Sequence, residues 1–469
     1  GLEIMCGVMG ILGNYSIVSS RDLLQLLTHR GQDAAGILWS SENEYESRKS
    51  MGSPATIQLP NERSNLIIGS TRYPTSGRRV ASEADLKTFV GPFNTGGLAL
   101  THNGNIINMA KVCDKTYDCD SEFLTDRIAL HLSSNDDNIV KAFKCLDQEV
   151  DGAYSLIGIH KGRLFAYRDP RGFKPLVFGR KNDLTVIASE STVIEMAGLE
   201  LERDVYPGEL VLFGPGPSME SHSISQSEAH SHCFFEYVYF AHPAATMENN
   251  LIYDTRFRLG RALARTLKKM NLETPDYVVP VPDTSRPAAQ ALAEELNVPM
   301  REIILKNRYL GRTFIARSPD ERDRMAKSKY IYLDGKIKGR NIVVVDDSIV
   351  RGTTGKRIVE HLKEKGANKV YFAVTCPPQV NACYYGIDIA TDKELIASDT
   401  SIEGIKEYIQ ADALIYQEME GLENAIGLKD LCLACLDGKY PTEHARKIRK
   451  SLEENSGSCE GRDYERSLE

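Results

Sequence analysis

The pattern of hydrophobic and polar positions changes character about halfway along the chain. In the first half, β-rich stretches punctuated by glycine occupy residues 66–73, 97–106, 154–169 and 184–191. Helical periodicity appears only at 20–30 and 121–134. Strands that follow one another with few intervening helices favour an α+β sandwich over a series of βαβ units.

Beyond a polar segment at 223–232, which we interpret as the domain junction, strands and helices alternate. Apolar strands are predicted at 276–283, 341–347 and 369–378, and amphipathic helices at 256–270, 286–297 and 354–366. This alternation predicts a doubly wound parallel sheet, whose ligand sites lie at the carboxyl ends of its strands.

Composition narrows the class of protein. A chain of 469 residues is long enough for two domains, and 42% hydrophobic with 26% charged residues is typical of a globular protein. A net charge of -8 argues against a general nucleic-acid binder. No apolar run approaches the ~20 residues of a membrane helix, and no signal peptide is evident.

Ten cysteines without a secretion signal indicate a reduced, cytoplasmic protein. Free cysteine packs as a small hydrophobe, so Cys113, Cys119, Cys145 and Cys376 are expected to be core residues.

The stretch NIVVVDDSIVRGTTG (341–355) carries the strongest local signal. An apolar strand ends in two carboxylates, and a Ser/Gly/Thr-rich loop then opens a helix. Such a loop offers backbone N–H groups to a phosphate at the positive end of the helix. Paired carboxylates would repel a phosphate, so they suit ribose hydroxyls or a cation. The alternative interpretation is an ordinary turn between strand and helix.

This stretch resembles the phosphoribosyl pyrophosphate (PRPP) motif of type I phosphoribosyltransferases. The resemblance implies that Asp346 and Asp347 bind the ribose hydroxyls. It places around the 5-phosphate Ser348, Ile349, Val350, Arg351, Gly352, Thr353 and Thr354.

VPVPDTSRPAA (279–289) and KNRYLGRTFI (306–315) resemble segments of glutamine PRPP amidotransferases. The resemblance implies one Mg2+ per subunit, held near Thr284, Asp346 and Asp347, an oxygen-rich set that suits this ion. Lys306, Arg308 and Arg312 would clamp the pyrophosphate, although they could instead form a solvated charged loop.

In the first half, Cys6 is preceded by five residues. A cysteine this close to the start of the sequence is a candidate N-terminal nucleophile. If Cys6 were the first residue, its α-amine, with an ordinary pKa of ~7.7–8.0, could act as its general base. We therefore expect either that residues 1–5 are a propeptide, or that Met5 is the natural start and residues 1–4 are additions.

CGVMGI (6–11), HRGQDAAGI (29–37), GSTRYPTSG (69–77), THNGNI (101–106) and DSEFL (120–124) occur in the order seen in class II amidotransferases, which this half resembles. The resemblance implies an N-terminal-nucleophile (Ntn) hydrolase sandwich with Cys6 as nucleophile. Asn103 and Gly104 would form the oxyanion hole, while Arg72 and Asp120 would bind the carboxylate and ammonium of glutamine. Arg30 and Gln32 are expected only to hold the HRGQ turn in place.

The pair Cys432 and Cys435 forms a CxxC, which suits zinc or an iron–sulfur cluster, and spacing leaves the remaining ligands open. HCFFEYVYF (232–240) and NACYYGID (381–388) resemble cluster-bearing stretches of the iron–sulfur branch of the same amidotransferases. The resemblance implies one [4Fe–4S] cluster per subunit on Cys233, Cys383, Cys432 and Cys435. Zinc is the alternative.

Together these resemblances cover roughly residues 6–445. They imply a class II glutamine amidotransferase domain at 6–228, a phosphoribosyltransferase domain with the cluster at 229–445, and a charged tail at 446–469. They identify the chain as a member of the glutamine PRPP amidotransferase family.

Such enzymes convert glutamine, PRPP and water to 5-phosphoribosylamine, pyrophosphate and glutamate, opening purine biosynthesis. Ammonia would pass between the sites behind a loop at 306–315. Purine nucleotide feedback inhibitors and a homotetramer are also implied. Two alternatives stay open: another class II amidotransferase, such as one that aminates a hexose phosphate, and a nucleotide-responsive regulator without activity.

Overall fold

The computed structural model describes residues 6–42, 44–72, 88–227, 229–307 and 329–454. The elements of the first half are β1 (Gly7–Ser16), α1 (Ile17–Gln25), β2 (Ala34–Ser41), β3 (Glu44–Met51), β4 (Arg63–Arg72), β5 (Phe93–Thr95), β6 (Leu98–Ile106), α2 (Met109–Val112), α3 (Asp120–Ser134), α4 (Ile139–Glu149), β7 (Gly152–His160), β8 (Arg163–Arg168), β9 (Val177–Lys181), β10 (Leu184–Ala188), α5 (Ser191–Met196), β11 (Arg203–Asp204), β12 (Glu209–Phe213) and β13 (Met219–Ser223).

These strands form two antiparallel sheets that pack face to face. Their orders are β11-β9-β10-β1-β4-β2-β3 and β13-β12-β8-β7-β6-β5. Apolar residues from both sheets share one core between them, α1 and α5 cover the outer face of the first sheet, and α3 and α4 cover that of the second. The four layers confirm the predicted α+β Ntn sandwich.

The elements of the second half are β14 (His232–Cys233), β15 (Thr246–Met247), β16 (Asn250–Leu251), α6 (Ile252–Lys269), β17 (Tyr277–Pro280), α7 (Arg286–Leu296), β18 (Ile304–Lys306), β19 (Tyr330–Tyr332), β20 (Asn341–Asp346), α8 (Thr353–Glu364), β21 (Lys369–Val374), α9 (Ile402–Ile409), β22 (Ala413–Tyr416), α10 (Met419–Ile426), β23 (Leu431–Cys432), α11 (Ala434–Asp437) and α12 (Glu443–Glu454).

A parallel sheet in the order β17-β20-β21-β22 forms the core of this half. Helices α6 and α7 cover one face, and α8 and α9 cover the other. The predicted α/β phosphoribosyltransferase fold is thereby confirmed. Because β17 and β20 are adjacent and parallel, the residues after Pro280 and after Val345 meet at one edge of the sheet.

Two elements differ from the sequence pattern. The helix predicted at 20–30 begins earlier, where the Ser16 hydroxyl accepts a hydrogen bond from the Ser19 amide, and ends at Gln25. The β-rich stretch 154–169 folds into a hairpin, because Lys161 and Gly162 both adopt positive φ angles at its turn.

The predicted junction falls between β13, which ends the second sheet, and β14. Strand β14, which precedes the phosphoribosyltransferase sheet in the sequence, pairs in parallel with β23, which follows that sheet. The segments before and after the sheet therefore meet at this strand pair. The exact domain bounds stay predictions. Within the described ranges, no helix has the length and apolar character needed to cross a bilayer.

Candidate active sites

The loop that follows β20 forms one side of a cavity of about 960 Å3. Its lining includes the ten consecutive residues from Asp346 to Gly355, so every residue predicted in this motif reaches the cavity. Gly352 adopts a φ of 72°, and α8 begins immediately after it. A Cβ at Gly352 would lie 3.0 Å from the Tyr408 ring, so a tight left-handed turn directs the loop into the start of the helix.

The carboxyls of Asp346 and Asp347 lie together at the floor of this cavity. Burial raises the pKa of Asp346 to about 8, and the negative charge of Asp347 contributes to this rise. Burial also raises the pKa of Asp347. The Asp347 carboxylate accepts a hydrogen bond of 2.8 Å from the Ser348 hydroxyl. Two buried carboxyls with raised pKa values need a cation or hydroxyl donors to stabilise their charge.

Thr284, in the turn between β17 and α7, and Lys306, at the end of β18, line the same cavity. The Lys306 ammonium lies 3.0 Å from a carboxylate oxygen of Asp283, which Arg286 also contacts. Lys306 is therefore at the predicted place but held by an acidic neighbour. Arg308 and Arg312 lie outside the described residues, as does most of the predicted 306–315 loop, and their role stays a prediction.

Arg256 is a cavity residue that the sequence reasoning did not single out. Its guanidinium donates to the backbone carbonyls of Tyr237, Tyr239 and Ala241, at 2.7 to 3.0 Å. Burial lowers the pKa of Arg256 to about 10, while the charge of Asp347 acts in the opposite direction. The sequence did contain a signal for this residue, because Arg256 lies on the buried face of a predicted amphipathic helix.

In the first half, strand register brings Cys6 close to Arg72. Gly7 pairs with Thr71 between β1 and β4, and the Gly7 amide also donates to the Thr71 hydroxyl at 3.0 Å. Cys6 therefore lies opposite Arg72, at the end of the same strand pair. Burial would lower the pKa of Arg72, but the neighbouring groups, with Cys6 among them, raise it.

Asn103 and Gly104 lie side by side on β6, the strand next to the edge strand β5 of the second sheet. Both polar atoms of the Asn103 side chain are buried and have no hydrogen-bond partner among the described residues. A Cβ at Gly104 would lie 1.8 Å from the Ala153 carbonyl oxygen, so only glycine fits there. A buried amide with unused donors, beside a glycine backbone, is a suitable oxyanion site.

Asp120 begins α3 and is joined to the end of β6. Its carboxylate accepts a hydrogen bond from the Ile106 amide at 3.3 Å, and the His102 ring lies 3.6 Å away. Burial would raise the pKa of Asp120, but His102 and Arg72 more than offset this effect, so the pKa is lowered. Asp120 is therefore held as a buried anion, as the binding of an ammonium group requires.

Cys119 departs from the expectation that it only fills the core. It is fully buried, and Arg72 donates a hydrogen bond to its sulfur at 3.3 Å. The same sulfur lies 3.9 Å from a carboxylate oxygen of Asp120. Cys119 thus contacts both predicted glutamine-binding residues, and its position directly before Asp120 was the only signal in the sequence.

The HRGQ turn connects the two sites. His29 and Gln32 line the 960 Å3 cavity together with the phosphate loop. Between them, Arg30 is buried, pairs with Glu190 and Glu236 at 2.5 and 2.7 Å, and reaches the Cys6 carbonyl at 3.5 Å.

Arg30 therefore holds the turn, as expected, but it also joins the first domain to Glu236 in the second. Gln32 lines the cavity. The sequence analysis expected Gln32 only to hold the turn and did not predict this position.

The four cysteines predicted as cluster ligands lie in one region, and each is a free thiol. Strands β14 and β23 place Cys233 directly beside Cys432. Burial raises the pKa values of Cys233, Cys432 and Cys435, and the charges of the other members of the group raise them further. Within the described ranges, no set of three or more His, Cys, Asp or Glu side chains is arranged to hold a metal ion.

Two family models match the chain in the same order as the two folds. A glutamine amidotransferase domain matches residues 78–196, and a phosphoribosyl transferase domain matches residues 252–408.

Among curated relatives, the amidophosphoribosyltransferase of Methanothermobacter thermautotrophicus is 36% identical over 93% of this chain and 94% of its own length. That of Bacillus subtilis is 35% identical over 94% and 95%.

Solved structures agree with these relatives. A glutamine PRPP amidotransferase from B. subtilis, complexed with ADP and GMP, superposes with a TM-score of 0.82 at 34% identity, over 93% of this chain and 98% of the other. A second structure, described as the allosteric regulatory enzyme of purine biosynthesis, has a TM-score of 0.83 at 33% identity, over 93% and 96%.

Proposed function

The chain belongs to the amidophosphoribosyltransferase family, and we propose that its residues divide the family's reaction between two sites joined by the HRGQ turn. The overall reaction takes glutamine, PRPP and water to 5-phosphoribosylamine, pyrophosphate and glutamate, the first step of purine biosynthesis. The observation that carries this proposal is the HRGQ turn, because His29 and Gln32 line the cavity of the phosphate loop and Arg30 reaches the Cys6 carbonyl at 3.5 Å. Membership of this family replaces both alternatives that the sequence left open.

In the glutamine site, the Cys6 thiol attacks the amide carbon once Cys6 is the N-terminal residue and its own amine can accept the thiol proton. Arg72 binds the carboxylate of glutamine and Asp120 binds its ammonium group. Support for this assignment comes from the register of β1 with β4 and from the lowered pKa of Asp120.

Negative charge develops on the amide oxygen when the thiol adds. The unpaired donors of the Asn103 amide and the Gly104 backbone N–H stabilise that oxyanion. Collapse of the intermediate releases ammonia and leaves a glutamyl thioester, which water then hydrolyses to glutamate.

In the PRPP site, the loop from Ser348 to Thr354 binds the 5-phosphate at the start of α8, and Asp346 and Asp347 bind the ribose hydroxyls. Asp346, Asp347 and Thr284 fit a Mg2+ ion, because their oxygens are hard ligands and the raised carboxyl pKa values signal an uncompensated charge. When bound, the ion neutralises charge on the pyrophosphate that leaves.

Ammonia released at Cys6 passes through the cavity to C1 of the ribose. His29 and Gln32 of the HRGQ turn line this space together with Asp346.

A stoichiometric assay tests the two-site function. With glutamine, PRPP and Mg2+ present, glutamate and pyrophosphate should appear in equal amounts. Omission of glutamine should stop both unless ammonia is supplied, in which case pyrophosphate alone appears. Pyrophosphate release that requires neither nitrogen source would overturn the proposal.

Cys119 is expected to position Arg72 for glutamine. A Cys119→Ala variant removes the sulfur that accepts the Arg72 hydrogen bond, at a cost of about 1 kcal/mol, so the KM for glutamine should rise roughly fivefold. Ammonia-dependent synthesis should not change, because Arg72 does not touch that substrate. Steady-state kinetics with each nitrogen source measures both values.

Cys119→Ser keeps a hydrogen-bond acceptor at this position and should restore most of the affinity for glutamine. Cys113→Ala serves as the matched control, since this half-buried thiol donates a hydrogen bond to the Lys115 carbonyl and packs beside the second sheet rather than against Arg72. An unchanged KM in Cys119→Ala would show that the contact with Arg72 contributes nothing to glutamine binding.

We propose that Cys233, Cys383, Cys432 and Cys435 hold one [4Fe–4S] cluster per subunit. The four thiols fit this group, because all are free, lie within one another's electrostatic field and are at least half buried. A cluster bonds each thiolate to a different iron, so its ligands need not converge on one point as those of a single ion must. When bound, it supplies covalent links between β14, β23 and the 381–388 segment.

Metal analysis distinguishes the cluster from zinc. Protein purified without oxygen should contain four iron and four sulfide per chain. A Cys435→Ser variant should lose most of both, because a serine hydroxyl is a poor ligand for iron in such clusters. A colourless protein with stoichiometric zinc would contradict the cluster.

The proposal also covers the location, the regulation and the assembly of the protein. The free thiols in the described part of the chain support a reducing, cytoplasmic location. Purine nucleotides are the proposed feedback inhibitors, supported by the ADP and GMP bound to the B. subtilis relative. A homotetramer is proposed from family membership, and mass measurement in solution tests it.

A further inference from the structure

A segment of the phosphoribosyltransferase domain packs against the proposed oxyanion hole of the glutamine site. The Asn105 side chain, on β6, donates a hydrogen bond to the Tyr384 carbonyl at 3.0 Å. Two residues further along, Gly386 lies against the backbone of Gly104, since a Cβ at Gly386 would be 3.2 Å from the Gly104 carbonyl oxygen and 3.6 Å from its Cα. The strand that carries the oxyanion hole is therefore in direct contact with the other domain.

This close approach requires glycine at position 386. Gly386 has a φ of 97°, which L side chains rarely adopt. The three atoms nearest to a Cβ there all belong to Gly104, so a side chain would push that backbone by a few tenths of an ångström. On its other side, Gly104 faces the Ala153 carbonyl oxygen, 1.8 Å from where its own Cβ would be. Gly104 is thus enclosed between the two domains.

Apolar packing fixes the same contact. Ile107, which follows β6, and Ala153 on β7 are fully buried in a hydrophobic core formed mainly by the second domain. Phe173 of the first domain belongs to the same core, and its ring stacks on Tyr385 with centroids 4.1 Å apart. The segment 384–386 is therefore held against the first domain by a hydrogen bond, a backbone contact and a ring stack.

The position of Gly104 matters because an oxyanion hole stabilises charge only when its donors are already directed at the place where that charge develops. A small displacement of the Gly104 backbone would weaken its hydrogen bond in the transition state. Arg72 and Asp120, the residues proposed to bind the head group of glutamine, lie on β4 and α3. The same displacement would leave the binding of glutamine in its ground state intact.

We propose that Asn105 and Gly386 are positioning residues, by which the phosphoribosyltransferase domain holds the oxyanion hole of the glutamine site in its working geometry. This inference rests on the proposed roles of Asn103 and Gly104. The contact then determines the rate of glutamine hydrolysis and not the affinity for glutamine.

The test measures kcat and KM for glutamine hydrolysis, together with ammonia-dependent synthesis, in Gly386→Ala. We expect kcat to fall about tenfold at an unchanged KM, because the displaced donor acts only in the transition state. Ammonia-dependent synthesis should match the parent protein. Gly438→Ala is the matched control, since Gly438 also has a positive φ, of 74°, but the nearest neighbours of a Cβ there would be side-chain atoms of Asn381 at 3.6 Å or more. It should leave all three quantities unchanged.

Asn105→Ala disturbs the same contact without adding a side chain at a strained backbone position. It removes the donor to the Tyr384 carbonyl and should likewise lower kcat at an unchanged KM. Its control is Asn108→Ala, because the Asn108 amide also donates to a backbone carbonyl, that of Glu149 at 2.8 Å, but within the first domain. Asn108→Ala should keep the kcat of the parent protein.

Asn103→Ala separates this inference from the function on which it rests. This variant should lower kcat on the order of 10^2-fold. If it does so while Gly386→Ala and Asn105→Ala keep the parent kcat, the oxyanion hole stands and its support by the second domain is wrong. A matching loss of ammonia-dependent synthesis in those two variants would also overturn the inference, because it would reveal a general disturbance of the fold. An unchanged kcat in Asn103→Ala would overturn the oxyanion hole, and this inference with it.

Discussion

A Cys6→Ala variant is expected to lose glutamine hydrolysis while it keeps the synthesis of phosphoribosylamine from ammonia. Alanine cannot form the thioester, so glutamate release should fall by a factor on the order of 10^4 to 10^6. The PRPP site has its own elements, β17, β20 and α8, and none of them contains Cys6. Glutamate and pyrophosphate are measured with glutamine and, separately, with ammonium at a pH that supplies free ammonia.

Cys145→Ala provides the control, since this half-buried thiol lies on α4, and its sulfur has one long contact, with Asn135 at 4.0 Å. It should retain both activities. If Cys6→Ala also lost the ammonia-dependent reaction, the separation into two sites would be wrong. If it retained glutamate release, another residue would be the nucleophile.

An Asp346→Asn variant is expected to lose the use of PRPP while it keeps the hydrolysis of glutamine. This substitution removes one of two carboxylates at the floor of the cavity, and a charged hydrogen bond or metal contact is worth about 3 kcal/mol, on the order of 10^2-fold. Pyrophosphate release should fall by at least that factor with either nitrogen source. The PRPP-independent hydrolysis of glutamine should remain, because the elements around Cys6 are intact.

Asp334→Asn is the matched control in the same domain, since Asp334 is exposed and pairs with His361 and Lys365 away from the loop. It should leave both reactions unchanged. Normal use of PRPP by Asp346→Asn would contradict the assignment of the loop after β20 as the sugar-phosphate site.

Much of the fold could be predicted from local patterns. The parallel sheet follows from apolar strands that alternate with amphipathic helices, and the phosphate loop follows from Asp346 to Thr354, which are contiguous in sequence. A contiguous motif keeps its geometry wherever the chain places it. The start of α1 and the hairpin at 161–162 could not be predicted as well, because the first depends on a single N-cap at Ser16 and the second on two positive φ angles.

The remaining site residues could not be predicted because their roles arise from packing between distant segments. Cys119 meets Arg72 across 47 positions of the chain, and Arg30 meets Glu236 across 206. Such contacts cannot be predicted from composition or from the spacing of motifs. The strand register and the burial of side chains in the structure show them.

The central claim is that the amide nitrogen of glutamine travels inside the protein to PRPP. The direct measurement supplies glutamine labelled with heavy nitrogen in its amide, PRPP and Mg2+, together with an excess of unlabelled ammonium. Mass spectrometry of trapped phosphoribosylamine then reports the source of its nitrogen. We expect predominantly labelled product, because the proposal has ammonia released at Cys6 and passed along the HRGQ turn to the PRPP site. Product that carries the isotope ratio of the bulk solution would contradict the account.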